Sequence, residues 1–288
     1  MFQYGIATDR GNVKMVNEDH AFLRAFTDKT GLQLYLAIVA DGMGGHARGD
    51  YASQWVIQQL NEKIEATQQY FFAVEHPFIY LEEALKKWVQ SINTKLYRTG
   101  VRLKQQIGTT LSVLVLFKER FLLIHVGDSR IYQRTRFMVN SAQDTMPLFE
   151  AKDETDTLVS PYLLKQLTED HTWVREKVKR GELRRDKARL HPKSNLLVDC
   201  IGITDKVMPH MEEGRFSMDD IFVLCTDGFY ENFTDDQILA DLTDNDLNSQ
   251  AEYLVNKAKS AGTRDNITVL LIKPGADGRK RKKRSIFN

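Results

Sequence analysis

Asp41 closes an apolar run, Leu34 to Ala40, and opens the glycine-rich stretch Gly42-Met43-Gly44-Gly45, which passes into a segment with helical periodicity from Asp50. A carboxylate at a strand end beside pliable backbone can meet a cation or a phosphate, so two chemistries compete for this position. Gly42-x-Gly44-x-x-Ala47 matches the G-x-G-x-x-G/A dinucleotide fingerprint. That fingerprint also needs an acid about 20 residues on, at the end of a second strand, to hold the ribose. The acids near that distance, Glu62 and Glu65, sit inside a helical pattern. The other reading makes Asp41 a metal ligand, with Gly42 offering its carbonyl to the same ion.

Partner acids repeat the same layout. The apolar run Phe121 to Val126 leads into Gly127-Asp128-Ser129-Arg130, and Ile221 to Cys225 leads into Thr226-Asp227-Gly228. Near the C-terminus the order reverses, with Asp265-Asn266 placed just before Ile267 to Ile272. In an antiparallel sheet the start of one strand lies beside the end of its neighbour, so Asp265 can join the others at one edge. Glu18-Asp19 supplies a further pair. Carboxylates gathered this closely repel one another and carry raised pKa values unless cations neutralise them. An oxygen-only donor set points to hard ions, Mn2+ or Mg2+, rather than zinc. Two such ions roughly 3.5–4 Å apart can activate a shared water and clamp a phosphoryl group during in-line displacement. The expected reaction is phosphate ester hydrolysis.

The segments Asp9 to Asp19, "VADGMGGHARGDYAS" (39–53), "GTTLSVLVL" (108–116), "HVGDSRIY" (125–132), "LTEDH" (167–171), "HPKSNLL" (191–197), "LCTDGFYE" (224–231) and "DNITVLLI" (265–272) follow one another in a familiar order. They resemble the motifs of the PPM/PP2C family of metal-dependent protein serine/threonine phosphatases, in its bacterial form, and extend from about Gly5 to Ile272. The resemblance implies an α+β fold, a four-layer α-β-β-α sandwich with two central antiparallel β-sheets. It also implies that Asp41 bridges two metals with help from the Gly42 carbonyl, that Glu18 completes one shell, and that Asp227 and Asp265 complete the other. Asp128, with Asp227, matches a third-metal position of bacterial relatives, and Asp19 would orient a water from behind the ligands. Asn266 and Ser129 are expected to support loops. Lys14 stands where the family usually has an arginine that grips the substrate phosphate in a fork. Lysine keeps the charge and loses the bidentate geometry, which predicts weaker phosphate binding, with Arg10 a nearby substitute. The family histidine that protonates the leaving group in eukaryotic relatives falls at Met43, so the proton is expected to come from His46, three residues on, from another group, or from metal-bound water.

These residues need strands and loops to carry them. A strand is expected over Tyr4 to Thr8, a second from Asp19 to Phe26, and a third ending at Asp41. Ala52, Val56, Leu60 and Ile64 recur at helical spacing between Asp50 and Thr67; Gln68 to Pro77 breaks the pattern, and a longer helix carries Leu81, Leu85, Trp88, Ile92 and Leu96. Thr109 to Phe117 and Phe121 to Val126 predict a hairpin around Lys118-Glu119-Arg120. Residues 135–160 form an expected insertion, polar and poorly periodic, and 172–190 a basic, helical flap that either captures acidic segments or is a solvated face. His125, His171 and His191 are expected to be structural. Helices are expected over Asp235 to Leu242 and Ser249 to Ser260, with Gly262 as C-cap. The domain spans 1–274, and 275–288, containing the basic run 279–284, is an expected disordered tail.

The chain has 288 residues, 42% of them hydrophobic, enough for one large domain, and a net charge of +1 that draws in neither nucleic acid nor membrane. Cys200 and Cys225 lack metal or redox spacing, and neither is followed by the arginine of a thiolate phosphatase loop, which suits a reducing cytoplasm. No signal peptide or membrane span is expected. The reading is a monomeric cytoplasmic phosphatase acting on phosphorylated proteins, substrates of a serine/threonine kinase, without a phosphoenzyme. A weak or silent phospho-dependent adaptor of the same fold, and a nucleotide-binding protein using the 42–47 glycine loop, are the alternatives.

Overall fold

In the computed structural model, which describes residues 2–44, 48–136, 160–188 and 190–274, the chain opens with three strands, β1 (Gln3–Asp9), β2 (Asp19–Thr27) and β3 (Gln33–Met43). Two long helices follow, α1 (Arg48–Ala73) and α2 (Pro77–Leu103). Next come β4 (Gly108–Thr109), β5 (Leu111–Phe117), β6 (Arg120–Val126), β7 (Arg130–Arg136) and β8 (Tyr162–Gln166). The short helices α3 (Trp173–Lys179) and α4 (Arg185–Ala188) lead to β9 (His210–Arg215) and β10 (Ile221–Cys225). Helices α5 (Asp227–Tyr230), α6 (Asp235–Asp241) and α7 (Leu247–Ser260) precede β11 (Ile267–Lys273). His46, Arg189, residues 137–159 of the expected insertion and the expected tail 275–288 lie outside the described residues.

The strands pair antiparallel into two sheets, one in the order β1-β11-β10-β7-β8 and one in the order β2-β3-β5-β6-β9 with β4 attached to β3. Period-two alternation assigns each strand's two faces to different cores. In β3, Leu34, Leu36, Ile38 and Ala40 pack with Val56, Leu60, Leu85 and Ile92 of α1 and α2. Tyr35, Ala37 and Val39 point the other way, to a second core with Leu114, Phe121, Phe222, Leu224 and Leu270 from both sheets. The outer face of the first sheet meets α5, α6 and α7 through Val223, Phe229, Ile238, Leu254 and Val269. Three cores between four layers make the α-β-β-α sandwich expected from the resemblance.

Several boundaries differ from the sequence reading. β3 does not end at Asp41 but continues through Gly42 and Met43, because β4 pairs with those two residues. α1 runs on to Ala73, since Phe71 is buried against Phe117 with ring centroids 4.9 Å apart. Thr135 and Arg136 belong to β7, and β7 pairs with the unforeseen β8 through Arg136↔Tyr162, so the insertion joins two antiparallel strands. The flap is two short helices, separated at Gly181, whose φ is +70°. Gly262, at φ +87°, follows the last residues of α7 as expected.

Phe222 is fully buried between the sheets, with the rings of Phe121 and Phe216 at 5.6 and 5.8 Å. Phe222→Ala should cost about 3–5 kcal/mol in urea denaturation, whereas Ile79→Ala, at a side chain 64% exposed, should change stability by less than about 0.5 kcal/mol.

Candidate functional site

The register of the sheets brings the singled-out acids to one end of the sandwich. Asp19, first in β2, is the cross-strand partner of Asp41 in β3. Asp128 lies in the turn between β6 and β7, Asp227 follows the end of β10, and Asp265 precedes the start of β11. Because β10 pairs antiparallel with both β7 and β11, the end of β10 and the starts of its two neighbours coincide.

Local hydrogen bonds fix each carboxylate's backbone. The Asp41 N–H donates to Thr110 Oγ1 at 2.8 Å, while its carbonyl accepts from the Thr110 N–H and from Thr109 Oγ1, each also at 2.8 Å. The Gly42 N–H donates to the Glu18 carbonyl at 3.1 Å, and Ser53 Oγ donates to that carbonyl at 2.6 Å. Glu18 Oε1 accepts from the Gly49 N–H at 3.2 Å. Gly49 allows this approach, since a Cβ there would stand 2.5 Å from the same oxygen. Asn266 ties the loop before β2 to the strand β11: its amide donates to the carbonyls of Arg10 (2.9 Å) and Val16 (3.0 Å), and its oxygen accepts from the Glu18 N–H (2.9 Å). Thr226 Oγ1 donates to Asp19 Oδ2 at 2.8 Å. On the far side, Tyr230 OH donates to the Asp128 carbonyl at 2.9 Å, and its ring lies 3.6 Å beneath the Arg130 guanidinium. Arg130 grips Asp170 with a two-pronged fork of 3.0 and 2.7 Å.

Asn266 and Ser129 thus hold loops, as expected, Ser129 through Thr110 at 2.6 Å. The framing residues Thr109, Thr110, Thr226, Gly49, Ser53 and Tyr230 were not foreseen. Their trace in the sequence is their place in the motif segments 39–53, 108–116 and 224–231.

Burial and the neighbouring charges act on each of these acids. Burial, reinforced by Asp19, Asp227, Asp128 and Asp265, raises the Asp41 carboxyl well above the usual range, although the residue keeps some exposed surface. Burial and the neighbouring Asp128, Glu231, Asp265 and Asp19 do the same to Asp227. Burial pushes Asp19 up to about 7 against the bond from Thr226, and pushes Asp128 up to about 7, aided by Asp170 and opposed by Arg130. Oδ1 of Asp19 and Oδ1 of Asp227 are buried without a hydrogen-bond partner, a costly state for acceptors. Among the described residues, no three acidic, histidine or cysteine side chains close into a cage by themselves. Oxygen donors, unpartnered carboxylate atoms and mutual repulsion together fit hard divalent cations.

Lys14 reaches the cluster, with Nζ 2.6 Å from Asp265 Oδ1. Burial opposes its charge, but Asp265, Asp41 and Glu18 outweigh it and raise its pKa. Arg10 is exposed. His125 is buried, with Nε2 against the Gly127 carbonyl at 2.9 Å and Nδ1 against Ser112 Oγ at 2.8 Å, and burial drives its pKa well below the ordinary value. His171 and His191 accept the Gly127 and Lys193 N–H groups at 3.3 and 3.1 Å, so all three histidines serve as structural bonders. Cys200 and Cys225 are free and buried, and burial pushes the Cys200 thiol up to about 12 and the Cys225 thiol higher, which leaves neither as a thiolate nucleophile. The flap's cations are largely neutralised by its own neighbourhood: Lys179 and Arg175 meet Glu169, Arg180 meets Glu176, Arg184 meets Asp186 and Lys177 meets Glu182. That pattern favours a solvated face over capture of acidic segments.

A model of the Protein phosphatase 2C family matches residues 10–261. The chain belongs to that family. The serine/threonine phosphatase stp of Listeria welshimeri is 32% identical over 269 residues, covering 92% of this chain and 93% of its own. The serine/threonine phosphatase of S. agalactiae shares 26% identity and a TM-score of 0.73 across 95% of this chain and 99% of its own. The PstP catalytic domain in complex with two manganese ions does so at 26% identity and a TM-score of 0.69, over 94% and 97%. The chain is therefore a bacterial-type, metal-dependent protein serine/threonine phosphatase, and its substrates are phosphorylated proteins. Among the described residues, no helix is long and apolar enough to cross a membrane.

The raised carboxyls couple stability to pH. A carboxyl whose pKa is higher folded than unfolded adds no cost while protonated in both states, below about pH 4. The cost grows as pH climbs towards the folded pKa of about 7 and is complete above it. In chelator, calorimetry should show the melting temperature falling from pH 5 to pH 8 by at least about 5 °C, and divalent ions should abolish the fall. A metal-free melting temperature that is flat or rises over that interval would refute the cluster's electrostatics.

Proposed function

We propose that Glu18, Asp41, Gly42, Asp128, Asp227 and Asp265 hold two or three divalent cations, Mn2+ or Mg2+, and that the chain uses them to hydrolyse phosphoserine and phosphothreonine in proteins. In this assignment Asp41 would be shared between two ions with the Gly42 carbonyl beside it, Glu18 would hold one, Asp227 and Asp265 the other, and Asp128 with Asp227 a third. When bound, the ions supply a water nucleophile at neutral pH and neutralise the phosphoryl oxygens. The observation that supports the reading is the convergence of acids from distant parts of the chain at one end of the sheets, with Asp19 paired to Asp41 across the strands and Oδ1 of Asp227 buried without a partner.

The chain's own groups do the rest. Asp19, with one carboxylate oxygen unpartnered and the other held by Thr226, would orient the attacking water. Lys14 leaves Asp265 to meet the incoming phosphate as a point charge. The bond from phosphorus to the serine or threonine oxygen breaks as the bond to the water oxygen forms. The departing oxygen takes a proton from His46 or from solvent. With both thiols buried, attack by water without a phosphoenzyme is the supported course. Residues 1–274 form the catalytic domain in this reading and 275–288 a basic tail. The opposing enzyme is a serine/threonine kinase, and the working form is a cytoplasmic monomer.

The test is release of phosphate from a small aryl phosphate in Mn2+. Chelation should abolish turnover, and Asp41→Ala should lower kcat by at least about 100-fold. Lys14→Arg should restore a fork on the phosphate and lower KM by about three- to tenfold with kcat little changed. Turnover that survives exhaustive metal removal would overturn the proposal.

A further inference from the structure

The loop that carries Lys14 presents an apolar rim. Val13, Met15 and Val16 are 54%, 85% and 39% exposed, an unusual set for a short connection between strands, where polar side chains would cost nothing in water. The loop's shape is fixed from both ends. The Gly11 N–H donates to Asp9 Oδ1 at 2.8 Å, Asn12 Nδ2 donates to the Lys259 carbonyl at 2.9 Å, and Asn266 holds the Arg10 and Val16 carbonyls. Gly11, at φ +74°, lies so close to the Asp265 carbonyl that a Cβ would come within 2.2 Å of it. The three apolar side chains are therefore held out to solvent by a frame that leaves them little freedom to fold inward.

Their position relative to the chemistry follows from Lys14. Its Nζ touches Asp265, so residues 13, 15 and 16 flank the side chain that reaches the acidic cluster. A phosphate that meets Lys14 brings the residues next to the phosphorylated one close to this loop, and in an extended segment each of them advances about 3.3 Å. Methionine adapts its shape to varied apolar partners.

We propose that Val13, Met15 and Val16 form a specificity surface for an apolar side chain lying one to three residues from the phosphoserine or phosphothreonine of the substrate. The inference rests on the proposed phosphate site beside Lys14. The rim adds affinity for the polypeptide and takes no part in the hydrolysis itself.

The test compares two phosphothreonine peptides that differ only in carrying leucine or serine two residues to each side of the phosphothreonine, with a small aryl phosphate as a third substrate. All are assayed with the full chain in Mn2+. The wild-type protein should favour the leucine peptide by about fivefold or more in kcat/KM. The double variant Val13→Ser, Met15→Ser should lose that preference while its aryl phosphate kcat/KM stays within about twofold, and Met15→Leu should keep it. Equal rates on the two peptides, or a preference retained in the double variant, would overturn the proposal. Self-association that disappears in the double variant would assign the surface to a second copy and also overturn it. Absence of aryl phosphate turnover in the wild type would instead be a failure of the proposed catalytic site.

Discussion

The constraint that governs this molecule is the repulsion among Asp19, Asp41, Asp128 and Asp227, whose carboxyls burial and one another raise above their ordinary pKa values. No folding chain gathers such groups for stability, since each desolvated carboxylate is costly and its neighbours add to the cost. The cluster exists because the backbone leaves it no alternative. The strands β3, β6, β10 and β11 that lead to or from the acids are buried along most of their length, and the layers are built by apolar alternation that has nothing to do with charge.

A second set of contacts keeps the acids from relaxing outward. Thr109 and Thr110 hold both backbone groups of Asp41, Asn266 ties the Glu18 loop to β11, and Thr226 holds Asp19 from behind. Arg130, Asp170 and Tyr230 brace the turn that bears Asp128. Under the proposed assignment, preorganisation of this kind would put the strain in the metal-free state, and divalent ions would relieve it. Metal binding and stability are then two readings of the same electrostatic energy.

Much of this was legible in the sequence for a simple reason. An apolar run ending in Asp-Gly or Gly-Asp is a local pattern, and three such runs with a reversed fourth at Asp265 imply one shared edge. The framing hydroxyls were not legible, because their partners are remote: Thr110 serves a residue 69 positions away and Thr226 one 207 away. The strand β8 escaped notice because Tyr162, Leu163 and Leu164 are all partly buried and show no alternation. The end of α1 was hidden by Gln68, Gln69 and Tyr70, polar or exposed residues that precede the buried Phe71. The roles proposed for the acids come from the resemblance to the phosphatase family; the structure contributes the hydrogen bonds that restrain their backbone.

The most direct measurement is a crystal structure of the full chain soaked in Mn2+, with anomalous differences recorded at the manganese edge. The account predicts peaks in contact with the carboxylates of Asp41, Asp227 and Asp265 and with the Gly42 carbonyl. Peaks confined to other parts of the surface, or the same three carboxylates turned away from one another with no metal between them, would contradict it.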